Sequence, residues 1–197
     1  MSGTPGVFVD RDGTLIRDVG YLRSREELEI LPRVPEAIRA LHEHGLKVVV
    51  VTNQSAIARG FLKEDELREI HRELERRFAG SGAFLDGIYY CPHHPTEGIA
   101  PYRLSCECRK PGAALVERAA RELGLDSTRS YVVGDQMGDM GLARRIGAKG
   151  ILIQKNKAGS GEQKAKGDFP VAGDFWEAAQ WIIQDLRETL RGGREDT

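Results

Sequence analysis

Five short apolar runs that alternate with longer amphipathic stretches constrain the fold of this chain most strongly. Each run is rich in β-branched residues, is too short for a helix and is bounded by glycine, proline or charged residues, which is typical of buried strands. The runs cover residues 7–9, 48–51, 88–90, 131–133 and 151–153. The stretches that predict helices cover 35–44, 63–78, 111–123, 140–146 and 174–190. This alternation predicts an α/β fold, a doubly wound, mainly parallel sheet of five or six strands with helices on both faces.

The 197 residues are expected to form one domain. A chain of this length buries roughly 70% of its unfolded surface around a single core. We expect the domain to span residues 1–191, with a flexible glycine-rich loop at 156–168 and a disordered tail at 192–197. The connections between the predicted elements are too short for a cap domain, so we expect the ends of the strands to be open.

Composition excludes several classes of partner. Lysine and arginine number 29 against 30 aspartates and glutamates, so the net charge is -1 and does not favour nucleic acid or an anionic membrane. No stretch approaches the roughly 20 apolar residues of a membrane span, and the N-terminus has no signal-peptide pattern. We therefore expect a cytoplasmic protein. Its three cysteines are an odd number in a reducing compartment, which argues against disulfides.

The first apolar run ends in two carboxylates, Asp10 and Asp12. In an extended strand this spacing puts both side chains on one face, where like charges repel unless a cation lies between them. Parallel sheets bind ligands at the carboxyl ends of their strands. In isolation such a pair more often marks a strand followed by an ordinary polar turn. The residues at the ends of the other strands therefore decide between a turn and a cation site.

Two further segments supply groups that suit an anion. The second run ends in the polar cluster Thr52, Asn53, Gln54 and Ser55. Such a cluster is more often an ordinary turn when nothing else accompanies it. Arg109 and Lys110 come directly before Pro111, which we place at the first position of a helix. That would set both cations near a positively polarised helix terminus, although an Arg-Lys pair alone is usually solvated surface.

The fourth run ends in Asp135, and Asp139 follows it at the start of a predicted helix. The first and fourth strands of a doubly wound sheet can be neighbours, so Asp135 could join Asp10 around one hard cation with oxygen ligands. For Asp139, a helix cap and support of the metal site are equally good interpretations.

The order of D-x-D-G-T, a strand-end Thr, a Lys before a helix and G-D-x-x-x-D resembles the haloacid-dehalogenase-like phosphatases over residues 7 to about 153. The resemblance implies that Asp10 is a nucleophile that forms an aspartyl-phosphate, and that Asp12 is the general acid and then the general base. It also implies that Thr52 and Lys110 bind the phosphoryl oxygens. Mg²⁺ would be held by the carboxylates of Asp10 and Asp135 and by the backbone carbonyl of Asp12.

A loop at 91–108, after the third strand, carries the pattern C-x-H followed by C-x-C. Three thiolates and one imidazole suit tetrahedral zinc, and four protein ligands make a closed, structural site. We predict that Zn²⁺ is bound by Cys91, His93, Cys106 and Cys108, with His94 as a spare. Free cysteines beside a surface histidine pair are the alternative.

The combination of D-R-D-G-T, T-N-Q-S, C-P-H-H-P and C-x-C-R-K-P resembles the D-glycero-D-manno-heptose 1,7-bisphosphate phosphatases more closely than the related histidinol-phosphate phosphatases, whose zinc loop is shorter. The implied reaction is hydrolysis of the C7 phosphate, which leaves heptose 1-phosphate for lipopolysaccharide or related glycans. Ala56 and Gln136 depart from the pattern that we expect. The implied substrate-binding residues are Asp18, Val19, Gly20, Tyr21, Asn53, Gln54, Ser55 and Arg109.

Three alternatives remain at this point. The chain could hydrolyse histidinol phosphate or another small sugar phosphate instead. It could be a phospho-receiver domain, but that fold carries its aspartate after the third strand, where this chain has Tyr90, Cys91 and Pro92. It could be a zinc-braced binding module without activity, although every catalytic residue type is present. We expect a monomer that takes a small sugar phosphate.

Overall fold

The computed structural model describes residues 3–154 and 169–192, and it contains one six-stranded parallel sheet. The strands lie in the order β3-β2-β1-β4-β5-β6. Their bounds are Gly6–Val9 (β1), Lys47–Asn53 (β2), Gly87–Cys91 (β3), Tyr131–Gly134 (β4), Lys149–Ile153 (β5) and Val171–Ala172 (β6). The five predicted strands are confirmed, and β1 pairs with both β2 and β4, so the expected neighbourhood of the first and fourth strands is correct. The sixth strand has only two residues, too few for a recognisable pattern.

Six α-helices accompany the sheet in the described residues. They are Val34–Glu43 (α1), Ser55–Ala58 (α2), Glu64–Gly80 (α3), Ala114–Leu123 (α4), Met137–Ile146 (α5) and Phe175–Gly192 (α6). The five predicted helices are present, and α2 is a short addition that begins at Ser55, the last residue of the polar cluster. None of the helices that the structure describes is both long and apolar enough to cross a bilayer.

Alternate residues of the strands build two cores, one on each face of the sheet. Val7 and Val9 of β1 pack with the apolar stripes of α1, α3 and α6, whereas Phe8 packs with α4 and α5. Successive side chains of a strand point to opposite faces, so a fully buried strand is apolar throughout. All three residues have no exposed surface. Each such burial stabilises the fold by roughly 1.5–3 kcal/mol, which fixes β1 at the centre of the sheet.

The start of the fourth helix differs from the prediction. α4 begins at Ala114, so Pro111 is not its first residue, and Arg109 and Lys110 lie in a turn before it rather than at its N-terminus. The Gly112 N–H donates to the Arg109 carbonyl in this turn, and the Ala114 N–H donates to the carbonyl of Glu107 in the cysteine-containing loop. The backbone between these bonds follows the loop, not a helix.

Other connections position the site without covering it. Between β1 and α1 the chain forms only a 3₁₀ turn at Arg25–Glu27, and within the described residues no insertion is large enough for a cap domain. The loop at 91–108 follows β3, as predicted. The predicted flexible loop at 156–168 lies outside the described residues, as do residues 193–197 of the predicted tail. Gly192, the first residue of that predicted tail, is the last residue of α6.

Candidate active site and metal cluster

A cleft of about 220 Å³ opens where β1, β2 and β4 end. Ligands of doubly wound folds bind at this edge of the sheet. The predicted catalytic and magnesium-binding residues all line the cleft, namely Asp10, Asp12, Thr52, Lys110 and Asp135. Seven of the predicted substrate-binding residues line it too, namely Asp18, Gly20, Tyr21, Asn53, Gln54, Ser55 and Arg109. Val19 is outside the lining and is 44% exposed, so the structure does not bring it to the others.

Three carboxylates converge on the floor of this cleft. Oxygens of Asp10, Asp135 and Asp139 all lie within 4.8 Å of one another. The backbone at Gly13 has a φ of +79°, and a Cβ there would lie 2.3 Å from Asp135 Oδ2. Only glycine therefore lets the chain leave β1 so close to the end of β4. Among the described residues Asp135 Oδ1 is buried without a hydrogen-bond partner. This donor set of hard oxygens, with one of them unpaired, fits a divalent cation.

Lys110 is the cation that the structure itself places in this cluster. Its side chain is 5% exposed, and Nζ lies 2.7 Å from Asp10 Oδ1 and 2.6 Å from Asp139 Oδ1. Nζ also donates to the Val51 carbonyl at 2.8 Å. Burial alone would lower the pKa of Lys110, but the two carboxylates raise it above its ordinary value. The ammonium group therefore stays charged and is held rigidly at the end of β2.

One lysine does not balance the carboxylates. Burial raises the pKa of Asp10 to about 6, an effect that Lys110 opposes and that Asp139 and Asp12 reinforce. Burial also raises the pKa of Asp135, and the charges of Asp139 and Asp18 add to this. Burial is the larger cause of both shifts, and the neighbouring carboxylates add to it, so ionisation of Asp10 and Asp135 is unfavourable without a further cation. A bound Mg²⁺ would correct this imbalance.

Asp139 combines the two roles that the sequence left open. It lies in the first turn of α5, where its Oδ2 accepts the Gln136 N–H at 3.1 Å. Its Oδ1 pairs with Lys110. A Cβ at Gly134 would lie 2.2 Å from the Asp139 carboxyl carbon, so a glycine at the end of β4 makes this approach possible. One carboxylate thus both caps α5 and supports the charged cluster.

Arg11 is the residue of this site that the sequence did not reveal. It is 1% exposed, and Nη2 donates to Asp12 Oδ1 at 3.0 Å and to Gln54 Oε1 at 2.9 Å. Nη1 lies 3.1 Å from Nε2 of His71, on the buried side of α3. Burial, assisted by Arg11, lowers the pKa of His71 to about 3, so this imidazole is neutral. A residue between two acids at a strand end is expected to point away from them. The only sequence feature that hints at a buried polar partner for Arg11 is His71, which occupies a core position of α3.

Side chains from the polar cluster after β2 bond mainly to the protein itself. Asn53 accepts the Lys110 N–H at 3.0 Å, and its own amide lies 3.3 Å from the Lys110 carbonyl. Gln54 donates to Asp12 Oδ2 at 2.8 Å and to Thr52 Oγ1 at 2.9 Å. Arg109, which precedes Lys110, donates from Nη1 to the His93 carbonyl at 3.1 Å. The cluster therefore organises the cleft, and Arg109 ties it to the cysteine-containing loop.

The four predicted zinc ligands come together after β3. Their ligand atoms, Sγ of three cysteines and Nδ1 of His93, lie within 4.8 Å of one another. Five of the six separations between these atoms are 3.1–3.7 Å. Ligands of a tetrahedral zinc site, with bonds of about 2.0–2.3 Å, are separated by about 3.5–3.8 Å. His94 lies apart, with Nδ1 accepting the backbone N–H groups of Thr96 and Glu97. The geometry is compatible with a closed metal site.

Comparisons with known proteins agree with this geometry. Residues 7–75 match the family model for haloacid dehalogenase-like hydrolases, and residues 107–178 match a second, HAD-hydrolase-like model. A D-glycero-β-D-manno-heptose-1,7-bisphosphate 7-phosphatase of Yersinia pestis is 38% identical over 186 residues, which cover 93% of this chain and 92% of that protein. The corresponding Haemophilus influenzae protein is 40% identical over 166 residues, 83% of this chain and 89% of its own.

A solved structure with a similar fold is D,D-heptose 1,7-bisphosphate phosphatase from B. bronchiseptica, complexed with magnesium and phosphate. Its TM-score is 0.77 at 30% identity, covering 92% of this chain and 99% of that one. The cleft lies at the expected edge of the sheet, and the relatives match over nearly their whole length. This chain therefore belongs to the haloacid-dehalogenase-like hydrolases, in the family of the heptose 1,7-bisphosphate phosphatases.

Proposed function

We propose that the chain hydrolyses the C7 phosphate of D-glycero-D-manno-heptose 1,7-bisphosphate and releases heptose 1-phosphate. The observation that carries the chemistry is the buried cluster of Asp10, Asp135, Asp139 and Lys110. The substrate is suggested by relatives whose names specify this reaction and which match along most of the chain. Phosphoryl transfer requires mainly positioning and neutralisation of charge, and this cluster can supply both.

Asp10 is the proposed nucleophile. Lys110 holds its Oδ1, and the other carboxylate oxygen attacks phosphorus and forms the aspartyl-phosphate. Asp10, Asp135 and the backbone carbonyl of Asp12 would hold Mg²⁺, which when bound neutralises charge between the carboxylate and the phosphate. Asp139 is adjacent, but its Oδ1 forms an ion pair with Lys110 and its Oδ2 accepts the Gln136 backbone N–H, so we assign it a supporting role.

Asp12 is the proposed general acid and base. In its protonated form it transfers a proton to the sugar oxygen as the bond from that oxygen to phosphorus breaks. The resulting carboxylate then takes a proton from water, the hydroxide oxygen attacks phosphorus, and Asp10 and inorganic phosphate are released. Thr52 and Lys110 are proposed to bind the phosphoryl oxygens, and Arg109, whose planar guanidinium suits phosphate, to bind the sugar phosphate.

Phosphate release from a panel of substrates tests this function. The panel contains both anomers of the heptose bisphosphate, histidinol phosphate and common sugar phosphates, and kcat/KM is compared across it. We expect the heptose bisphosphate to have the highest value, with the β anomer as the first candidate because the relatives' names specify it. Phosphorus NMR of the product should show that the C1 phosphate remains. A preference for histidinol phosphate, or loss of the C1 phosphate, would contradict the proposal.

We further propose that Cys91, His93, Cys106 and Cys108 bind a structural Zn²⁺. Four protein ligands leave no open position for catalysis. The Arg109 contact with the His93 carbonyl supports a role in bracing the cleft. Protein purified without added metal should contain about one zinc per chain. We also propose that the enzyme acts as a cytoplasmic monomer, which light scattering can check.

A further inference from the structure

A single buried guanidinium, that of Arg11, lies beneath the cleft and connects three elements of the fold. It joins the end of β1 to the segment after β2 through Gln54, and to α3 through His71. An arginine that is 1% exposed is costly unless its donors are bonded and its charge is paired. Its described charge partner is the carboxylate of Asp12, the proposed general acid.

The direction of each hydrogen bond follows from the chemistry of arginine. A guanidinium can only donate, so the atom of Gln54 that faces Nη2 must be the carbonyl oxygen. For the same reason Nε2 of His71 must be an acceptor, which places the imidazole proton on Nδ1. Arg11 thereby fixes the orientation of an amide and the tautomer of an imidazole.

Fixing the amide of Gln54 also orients two residues in the cleft. With its oxygen toward Arg11, the amide nitrogen donates one hydrogen to Asp12 Oδ2 at 2.8 Å and the other to Thr52 Oγ1 at 2.9 Å. Thr52 Oγ1 accepts this bond, so its own hydrogen is left to point at a bound phosphoryl group. Arg11 itself binds both oxygens of Asp12, with Nε at 3.2 Å from Oδ2 and Nη2 at 3.0 Å from Oδ1.

We propose that Arg11, both directly and through Gln54, is a positioning residue that fixes the carboxylate of Asp12 for proton transfer to the leaving group. Arg11 holds both oxygens of this carboxylate and Gln54 holds one of them, so rotation about the Asp12 side chain would break these bonds together. General acid catalysis contributes about 10²–10⁴-fold, and displacement by about 1 Å can cost about 10²-fold. This inference rests on the proposed function only in that Asp12 must protonate a leaving oxygen.

The test uses two substrates that differ in their need for a proton. A sugar alkoxide requires protonation as it leaves, whereas p-nitrophenolate leaves as a stable anion. We expect Arg11→Met to lower kcat/KM on the sugar phosphate at least about tenfold more than on p-nitrophenyl phosphate. kcat/KM ends at aspartyl-phosphate formation, so the later hydrolysis step does not obscure the difference. Gln54→Met leaves the arginine in place and should show the same selective loss on the sugar phosphate. If Arg11→Met does not fold, Gln54→Met alone tests whether Asp12 is positioned in this way.

A double variant identifies the residue through which Arg11 acts. In the Asp12→Asn background, Arg11→Met should cause no further loss of kcat/KM on the sugar phosphate, because the positioned group is already absent. Arg11→Lys keeps the charge but cannot form the fork, so we expect the selective loss to persist. Arg77→Met is the matched control, since Arg77 binds the backbone carbonyls of Leu28 and Arg25 away from the cleft. It should lower thermal stability with no change in the ratio between the substrates.

The outcomes separate this inference from the proposed function. Whichever primary sugar phosphate the wild-type enzyme turns over fastest serves as the alkyl substrate, so a wild type without activity on the heptose bisphosphate overturns only the substrate assignment. Equal losses on both substrates in Arg11→Met and Gln54→Met, or full recovery in Arg11→Lys, would overturn the positioning role.

Discussion

The cleft and the cysteine cluster are both compatible with metals, but the chain assembles them in opposite ways. The carboxylates of the cleft come from the ends of β1 and β4 and from α5, and they meet only because β1 and β4 are neighbours in the sheet. The four ligands of the cluster come from one loop directly after β3. The cleft is therefore a product of the complete fold, whereas the cluster can form within one segment.

The two sites also differ in the chemistry of their ligands. The cleft has hard oxygen ligands, excess negative charge and Lys110 as an internal cation, which suits a cation that exchanges with solvent. The cluster has thiols, and burial raises the pKa of Cys91, so a metal is needed to hold it as a thiolate. Damage to the cleft should therefore remove activity and spare the fold, and damage to the cluster should weaken the loop first.

The largest expected effect is that of Asp10→Asn. The amide cannot attack phosphorus, and we expect a loss of turnover on the order of 10⁴–10⁶-fold, as for nucleophiles of other hydrolases. Because burial opposes ionisation of Asp10, the neutral amide should leave the thermal midpoint unchanged or higher. Steady-state kinetics and thermal denaturation check both statements. Asp65→Asn, at a residue whose side chain is 85% exposed, is the control. Full activity in Asp10→Asn would remove the proposed mechanism.

Lys110→Met is expected to have the second largest effect. It removes the cation between Asp10 and Asp139 and one ligand of the phosphoryl oxygens, so we expect kcat to fall by about 10²–10³-fold. Lys47→Met is the control, because Lys47 is a partly buried lysine that donates to the Leu123 carbonyl at the opposite end of β2. Similar kinetic losses in both variants would show that Lys110 acts only through stability.

The same contrast explains what the sequence could predict. The sequence predicts that Asp10 and Asp135 lie together because strand order is a property of the fold class, and it predicts the cysteine cluster because the ligands are local. It does not predict the start of α4, because the turn at Arg109 and Gly112 depends on bonds to the preceding loop. It does not predict the role of Arg11, because the partners Gln54 and His71 are distant in sequence and leave no periodic signal. Tertiary hydrogen bonds of this kind decide what local patterns leave open.

The neighbouring residues His93 and His94 allow a matched test of the ligands of the cysteine cluster. His93→Asn removes one ligand, and zinc content should fall from about one per chain to near zero. Because the His93 carbonyl holds Arg109, disorder of the loop should raise KM, by about tenfold for one lost hydrogen bond to a charged group. His94→Asn, which changes only a local turn, should keep both zinc and KM. Elemental analysis and kinetics distinguish the two, and zinc loss in His94→Asn would contradict the ligand assignment.

The smallest expected effect is the pH dependence of magnesium binding. In the metal-free protein the pKa of Asp10 is raised to about 6, so between about pH 4 and 6 the folded state binds a proton that the unfolded state does not. The stability of the metal-free protein should therefore rise as the pH falls through 6, and the contribution is lost again as the pH rises. A proton and Mg²⁺ compete for this carboxylate, so the Kd for Mg²⁺ should rise about tenfold from about pH 7 to about pH 5 and be flat above about pH 7.

Calorimetric titration with Mg²⁺ at several pH values measures this dependence. The cluster should not respond to added Mg²⁺, because thiolates do not suit this hard cation, so zinc content should stay constant across the series. Asp10→Asn has no proton to exchange at position 10, and any residual binding in it should vary less with pH. A Kd for wild-type protein that is constant from about pH 7 to about pH 5 would contradict competition between a proton and Mg²⁺ at Asp10. Asp135, whose Oδ1 is buried without a hydrogen-bond partner among the described residues, would then be the main candidate ligand for the cation.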